Sequence, residues 1–295
     1  MITGYSNTIS VTTLAPSLLL DLYPSAAAAY SVRLLRSAYT GSAIRVRRSS
    51  DNAESDIGFS GANLDTTSLT SFCGAGSGFV TTWYDQSGGG NNLTQTTAAN
   101  QPQIVSSGSV IVEGSKPTLQ LDGSDWMKNN VNSVVRLDLR TQFVVYRNTT
   151  STDYGGIISF APSTGSDYDT NTSNINLGGS PQNILVDNTG TSFFATSING
   201  TRPTPYNLTT LYNDGTTFGL QSNNGTFTTN TSTFNNNSFQ SGNIYIGTRF
   251  FASNPSSPNY TFIGKMQEIV LYNGSAQNTN ISQINTNIND YYGIY

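Results

Sequence analysis

"TQFVVYRNTTSTDYGGIISFA", residues 141–161, contains two apolar runs, 143–146 and 157–160, parted by a stretch of Asn, Thr, Ser, Asp and Gly. Val, Ile, Phe and Tyr fit the pleated, half-buried surface of a strand, whereas Asn, Asp and Gly accept turn conformations. Each run is too short for an ordinary helix, so the stretch reads as strand, turn, strand. The same alternation continues on both sides in "VIVE", "PTLQL", "INLGG", "NILVDN", "TSFFATSI", "YNLTTLYN", "TFGLQS", "NIYIGTR" and "GKMQEIVLYN". No strand–helix–strand alternation interrupts the series, and the pattern predicts a two-sheet sandwich or a barrel.

The N-terminal third is more mixed. "AAAAYSVRLLRSAY" is rich in alanine and leucine and predicts a helix with Ser25 near its cap, which leaves residues 1–24 as an arm. "AIRVRRS" and "GFVTTWY" predict strands, and "LDTTSLTSFCG" predicts a short helix capped by Asp65, with Leu69 and Phe72 on one face. At the other end Ile281, Ile284 and Ile288 recur at helical spacing, so a terminal helix is expected against the sandwich edge. The Asn-rich stretch 223–243 reads as a long hairpin or loop.

Composition limits the partners. The chain has 295 residues, a net charge of −4 and lysines only at Lys116, Lys128 and Lys265, so it lacks a basic field for nucleic acid or anionic lipid. No histidine is present, which removes a Ser-His-Asp triad and every His-containing zinc site. The lone Cys73 lies among apolar neighbours and reads as a small core residue. The first residues lack a basic segment followed by a long apolar run, so neither a secretion signal nor a membrane span is expected there.

"AYSVRLLRSAYTGSAIRVRRSSDNAESDIGF", "LDTTSLTSF" and "FVTTWYDQSGGGNNLTQ" resemble the N-terminal half of the arabinofuranosidase B catalytic domain. They also resemble a module found in structural proteins of tailed bacteriophages. The last stretch, "FIGKMQEIVLYNGSAQNTNISQINTNINDYYGIY", is similar to the closing strand and helix of the laminin-G-like, concanavalin-type lectins and glucanases. The resemblance implies an all-β, concanavalin A-like two-sheet jelly-roll sandwich with a few short helices. It would occupy residues 25–295, with 25–100 as the arabinofuranosidase-like part and 101–295 as the strand-rich remainder.

The resemblance also implies where catalytic groups should stand. In the arabinofuranosidases the nucleophile is a Glu two residues after an Asp that ends a strand. "NILVDNT" matches with Asp187, and Thr189 stands in place of the Glu. The acid/base Asp is expected near "NIYIGTRFFASNPSS", where Phe250, Phe251 and Ala252 occur, and no Asp or Glu lies between Asp214 and Glu268. A retaining glycosidase needs two carboxyl groups about 5 Å apart. The expectation is therefore a protein with no catalytic residues, no metal and no cofactor. A glycosidase using a pair among Asp153, Asp167, Asp169 and Asp187 is the alternative.

Two aromatic turns are candidates for carbohydrate binding. Trp83 and Tyr84 precede Asp85 and Gln86, so one ring could stack on a sugar while the polar groups bond its hydroxyls. The competing reading has one ring in the core and Asp85 closing the turn, because side chains alternate along a strand. Trp126, beside Asp125, is the second platform. Asp122 and Asp125, and Asp167 and Asp169, place oxygen ligands at close spacing, but solvated turns explain them without calcium. Arg33, Arg36, Arg45, Arg47 and Arg48 are followed by Asp51, Glu54 and Asp56, which favours local ion pairs.

Together these readings lead to a non-enzymatic structural protein on the surface of a tailed-phage virion, made in the host cytoplasm: a head fibre, decoration or tail-associated protein. Its expected partners are other virion proteins through residues 1–24, a host-surface glycan, and further copies of itself in a homo-oligomer, with no nucleic acid and no membrane insertion.

Overall fold

The strand Ile263–Asn273 is the spine of the fold. Arg140–Asn148 runs antiparallel along its whole length on one side, while Ala26–Ser31 and Leu119–Asp122 share its other side end to end. Outward from Arg140–Asn148 follow Asn207–Asn213, Thr217–Ser222 and Thr228–Thr231. The computed structural model describes residues 17–129, 136, 139–150, 154–161, 173–177, 183–188, 192–197, 206–231, 243–249 and 260–295.

A second set of strands runs from Ser192–Ser197 through Asn183–Asn188, Ser173–Leu177, Gly156–Ala161, Asn243–Ile246 and Met127–Lys128. It continues through Leu93–Thr94 to Gly78–Trp83, Ile44–Arg48 and Glu54–Ile57. Gln103–Ser106 pairs with both Gly78–Trp83 and Leu119–Asp122 and so joins the two layers. The architecture is the all-β sandwich expected from the strand pattern.

Register explains the core. Ala28, Leu271, Gln142, Leu211 and Leu220 form one row across the first layer, and Ile246, Ile158 and Ile175 form one across the second. Directly paired residues share a face, and all of these are at most 1% exposed. The neighbouring row of the first layer, Ala29, Val270, Phe143, Thr210 and Gln221, faces the other way, toward the terminal helix.

Among the described residues three α-helices decorate the sheets: α1 (Leu19–Leu22), α2 (Thr66–Cys73) and α3 (Ile281–Tyr292). Asp65 caps α2 by accepting a 3.0 Å bond from the Ser68 N–H, as its sequence predicted. Ile281, Ile284 and Ile288 are buried beneath α3. The helix lies across the sheet face instead of at an edge: Asn285 accepts from Thr210 Oγ1 at 2.7 Å in mid-strand. Cys73 is a buried free thiol.

The predicted helix after Ser25 is corrected: Ala26–Ser31 is a strand. Alanine's helical preference amounts to only tenths of a kcal/mol per residue. Here, pairing with Ile263–Asn273 buries Ala28, Ala29 and Tyr30 completely. Ser25 has φ 69°, which is not the extended geometry of an N-cap. The boundary of the predicted arm also moves. Leu19 and Leu20 belong to the core, Leu20 N–H donates to Leu35 C=O at 2.7 Å, and Asn287 donates to Ser17 C=O at 3.0 Å. Residues 17–24 are thus part of the sandwich, and residues 1–16 lie outside the described residues.

Candidate functional site

The turn after Gly78–Trp83 is built as scaffold. Trp83 is fully buried, with its ring 6.0 Å from that of Tyr30. Asp85 is 3% exposed and collects bonds from the N–H groups of Ala29, Ser87 and Asn91 and from Ser87 Oγ, all between 2.8 and 3.0 Å. Gln86, fully buried, accepts from Leu35 N–H and donates to the carbonyls of Ser31 and Arg33. These three residues have no surface on which a sugar could rest, which corrects their reading as a carbohydrate platform. Tyr84 is half-buried and donates to Asp56 at 2.7 Å; burial, then Asp56, push its hydroxyl up to about 12.

Arg45 and Arg48 form the local ion pairs expected, whereas Arg33 pairs with the distant Glu268. Arg45 meets Asp56 at 3.0 Å, Arg48 meets Asp51 at 2.6 Å, and the buried Arg33 meets Glu268 at 2.7 Å. The hydrogen bond from Arg48 holds the Asp51 carboxyl down at about 2. Glu113 takes Arg147 at 2.7 Å and Lys265 at 3.1 Å, and Asp214 accepts from the N–H groups of Thr216 and Thr217 in its own turn. Most carboxylates among the described residues are therefore committed to structure.

One row of the second layer is different. Register sets Thr94, Lys128, Tyr245, Ser159, Asn174, Asp187 and Phe193 in one row across seven strands. The isoleucine row beside it points into the core, so Tyr245 and Ser159 face the other way, where Tyr245 is 4% exposed and Ser159 is fully buried. Asp187, the residue matched to the strand-ending Asp, thus stands in line with Tyr245. At the near end the half-buried Trp126 packs its ring 6.2 Å from that of Tyr245, separate from the main core. Asn243 donates to the Tyr245 hydroxyl at 3.1 Å.

Asp125 precedes this platform. It is 5% exposed and accepts from Asp122 N–H at 3.0 Å. Burial pushes its carboxyl up to about 7, with the charge of Asp122 adding to the shift against the bond from the Asp122 N–H. Asp122 itself binds the N–H and Oγ of Ser124, so both carboxyls serve the turn. Tyr245 and Lys128 were missed from sequence. The alternation in "NIYIGTR", with Tyr245 between two core isoleucines, was the available signal. Asp153, Asp167, Asp169 and Thr189 lie outside the described residues.

Residues 21–133 match the family model of the alpha-L-arabinofuranosidase B catalytic domain. This N-terminal part is arabinofuranosidase-like. A probable alpha-L-arabinofuranosidase B of Aspergillus flavus and the alpha-L-arabinofuranosidase B of Aspergillus oryzae are each 43% identical over 74 residues, 24% of this chain and 15% of theirs. The solved structure of a GH54 α-L-arabinofuranosidase soaked with a cyclic sulfate inhibitor superposes with a TM-score of 0.66 at 17% identity, covering 89% of this chain and 62% of that one. An arabinofuranosidase complexed with arabinofuranosyl-α-1,2-xylobiose superposes equally well. The chain spans less than two thirds of these relatives' length, and the likeness extends the shared fold well beyond the matched N-terminal part.

These matches overturn the expectation of a non-enzymatic phage particle protein displayed on a virion. The relatives include arabinofuranosidases of Aspergillus, and the matching family model is of a catalytic domain.

Proposed function

We propose that this chain is the catalytic part of an α-L-arabinofuranoside hydrolase acting on arabinofuranosyl-bearing polysaccharide. The match of residues 21–133 to that catalytic domain carries the reading. The sandwich fold shared over 89% of the chain supports it.

Glycoside hydrolysis needs one carboxyl group to attack or to activate water and another to protonate the leaving oxygen. Asp187 supplies the first in this reading, and its partner comes from Asp153, Asp167 and Asp169. Asp125 is too remote to be that partner. Asp187 and Tyr245 are three strand spacings apart, about 14 Å, whereas either stereochemical course needs carboxyl groups within about 10 Å.

The test is turnover of 4-nitrophenyl α-L-arabinofuranoside by the full chain and by Asp187→Asn. Loss of at least about a thousandfold in kcat with unchanged folding supports the assignment, by the scale at which essential catalytic groups act. Unchanged turnover in the variant removes Asp187 from the reaction.

A further inference from the structure

A cavity of about 430 Å³ opens on the face of the first layer that α3 covers. Its walls come from Asn207–Asn213, the loop after Thr217–Ser222 and the start of α3. Tyr212, which lines it, lies two positions beyond Thr210 on one strand and so shares the face that Thr210 turns toward α3. Asp187 belongs to Asn183–Asn188 in the second layer. The first sheet therefore stands between the cavity and the strand of the proposed reacting carboxylate, and packed sheets are about 10 Å apart.

Two aromatic rings and a set of uncharged polar groups line the cavity. Tyr212 and Phe227, both half-buried, meet edge to face with centroids 5.1 Å apart. Tyr212 lies over its cross-strand partner Gly219, where a Cβ would overlap the tyrosine ring. The loop that brings Phe227 is pinned to α3, because Asn285 donates to Gln221 Oε1 at 3.2 Å and to Asn224 Oδ1 at 3.3 Å. Thr141 Oγ1 donates to Asn278 Oδ1 at 2.6 Å. These bonds occupy the amide oxygens and leave Nδ2 of Asn224 and of Asn278 without a partner among the described residues. The hydroxyls of Tyr212, Thr279 and Ser282 are equally uncommitted there.

That chemistry narrows the ligand. Hydroxyls that donate or accept, with amides that donate, match the hydroxyls of a sugar, and the aromatic pair suits its C–H surface. An anion would meet Asp214 and, among the described lining residues, no lysine or arginine. A wholly apolar ligand would strip water from the polar groups and give them no partner. The volume lies near the lower end of the roughly 300–1,000 Å³ of small-molecule sites, which fits a mono- or disaccharide.

We propose that this cavity is a second saccharide site, holding a neutral mono- or disaccharide unit on the face of the sandwich turned away from the hydrolytic centre. Only its placement relative to that centre rests on the hydrolase reading; binding does not.

The experiment measures retardation of the full chain in native gels containing soluble arabinoxylan, arabinan or galactomannan, with polygalacturonate as the anionic comparison. Wild type, Phe227→Ala and the double variant Thr279→Val with Ser282→Ala are compared after thermal unfolding confirms that each is folded. Thr279 and Ser282 are exposed and their hydroxyls make no bond among the described residues, so the double variant spares the fold. In at least one neutral gel, affinity is expected to fall about threefold to tenfold in Phe227→Ala, the scale of one aromatic contact. The double variant should lose about threefold or more. Turnover of 4-nitrophenyl α-L-arabinofuranoside should match wild type in both. Absence of retardation of the wild type in every neutral gel overturns the site, as does equal retardation of wild type and variants. Stronger retardation by polygalacturonate than by any neutral polymer overturns its ligand class, and a parallel loss of aryl-glycoside turnover overturns its separateness. If Phe227→Ala does not fold, the double variant decides by the same outcomes. Absence of turnover by the wild type removes the hydrolase reading and leaves the retardation assay to decide the saccharide site.

Discussion

Glu268 receives two bonds from Arg33, at 2.7 Å from Nε and 2.9 Å from Nη2, inside the protein where neither side chain is more than 6% exposed. The pair joins the segment just after Ala26–Ser31 to the middle of Ile263–Asn273. Ser31 Oγ and the Tyr292 hydroxyl also bond to Glu268, at 2.8 and 3.1 Å, and tie in α3. Glu268→Gln leaves the guanidinium buried without its counter-charge and should cost about 3–5 kcal/mol in urea unfolding. Replacing both partners together, Arg33→Met with Glu268→Leu, should cost less than the single change. A single variant with wild-type stability would contradict this account of the pair.

Asp85 organises the glycine-rich turn through three backbone N–H groups. Asp85→Ala strands these buried donors, and a loss of about 2 kcal/mol or more is expected in denaturant unfolding. The same variant, assayed under conditions where it is folded, should keep its retardation in arabinoxylan gels. Lost glycan binding without lost stability would return the turn to the binding surface.

Asp125 gives stability a pH dependence of definite sign. Its carboxyl titrates near 7 in the fold and near 3.9 in an unfolded chain, so between these values the native state holds a proton that the unfolded state has released. The stabilisation is fully present below about pH 4 and is lost as pH rises through about 7. Asp125→Asn keeps an acceptor for the Asp122 N–H and should flatten this part of the melting-temperature profile. An identical pH slope in the variant would show that Asp125 does not contribute.

Gln142 sits fully buried in a row otherwise made of Ala28, Leu271, Leu211 and Leu220. Among the described residues, neither its Oε1 nor its Nε2 has a hydrogen-bond partner. Gln142→Leu removes two desolvated polar atoms at similar volume and should raise stability by about 1 kcal/mol. A destabilised Leu variant would mean that the amide is bonded in solution.

Much of the fold was legible because its signals were local. Asp65 announced α2 through its capping side chain, and Ile281, Ile284 and Ile288 announced α3 through their spacing. The strand Ala26–Ser31 was not legible, because its state is decided by a partner more than two hundred residues away and not by alanine's own preference. The turn at Trp83 looked like a binding surface because aromatic and polar residues adjoin in sequence. Only the three-dimensional position of Ala29, Leu35 and Asn91 shows that Asp85 and Gln86 are spent on backbone groups. The row through Tyr245 escaped notice for the same reason: Tyr245, Ser159, Asn174 and Asp187 take successive positions only through register.

The central claim is hydrolysis, and its most direct measurement is chromatography of sugars released from arabinan and arabinoxylan by the purified full chain. The account predicts free arabinose that accumulates with time and enzyme concentration and disappears with Asp187→Asn. No arabinose above the blank from folded wild-type protein on either polysaccharide would contradict it.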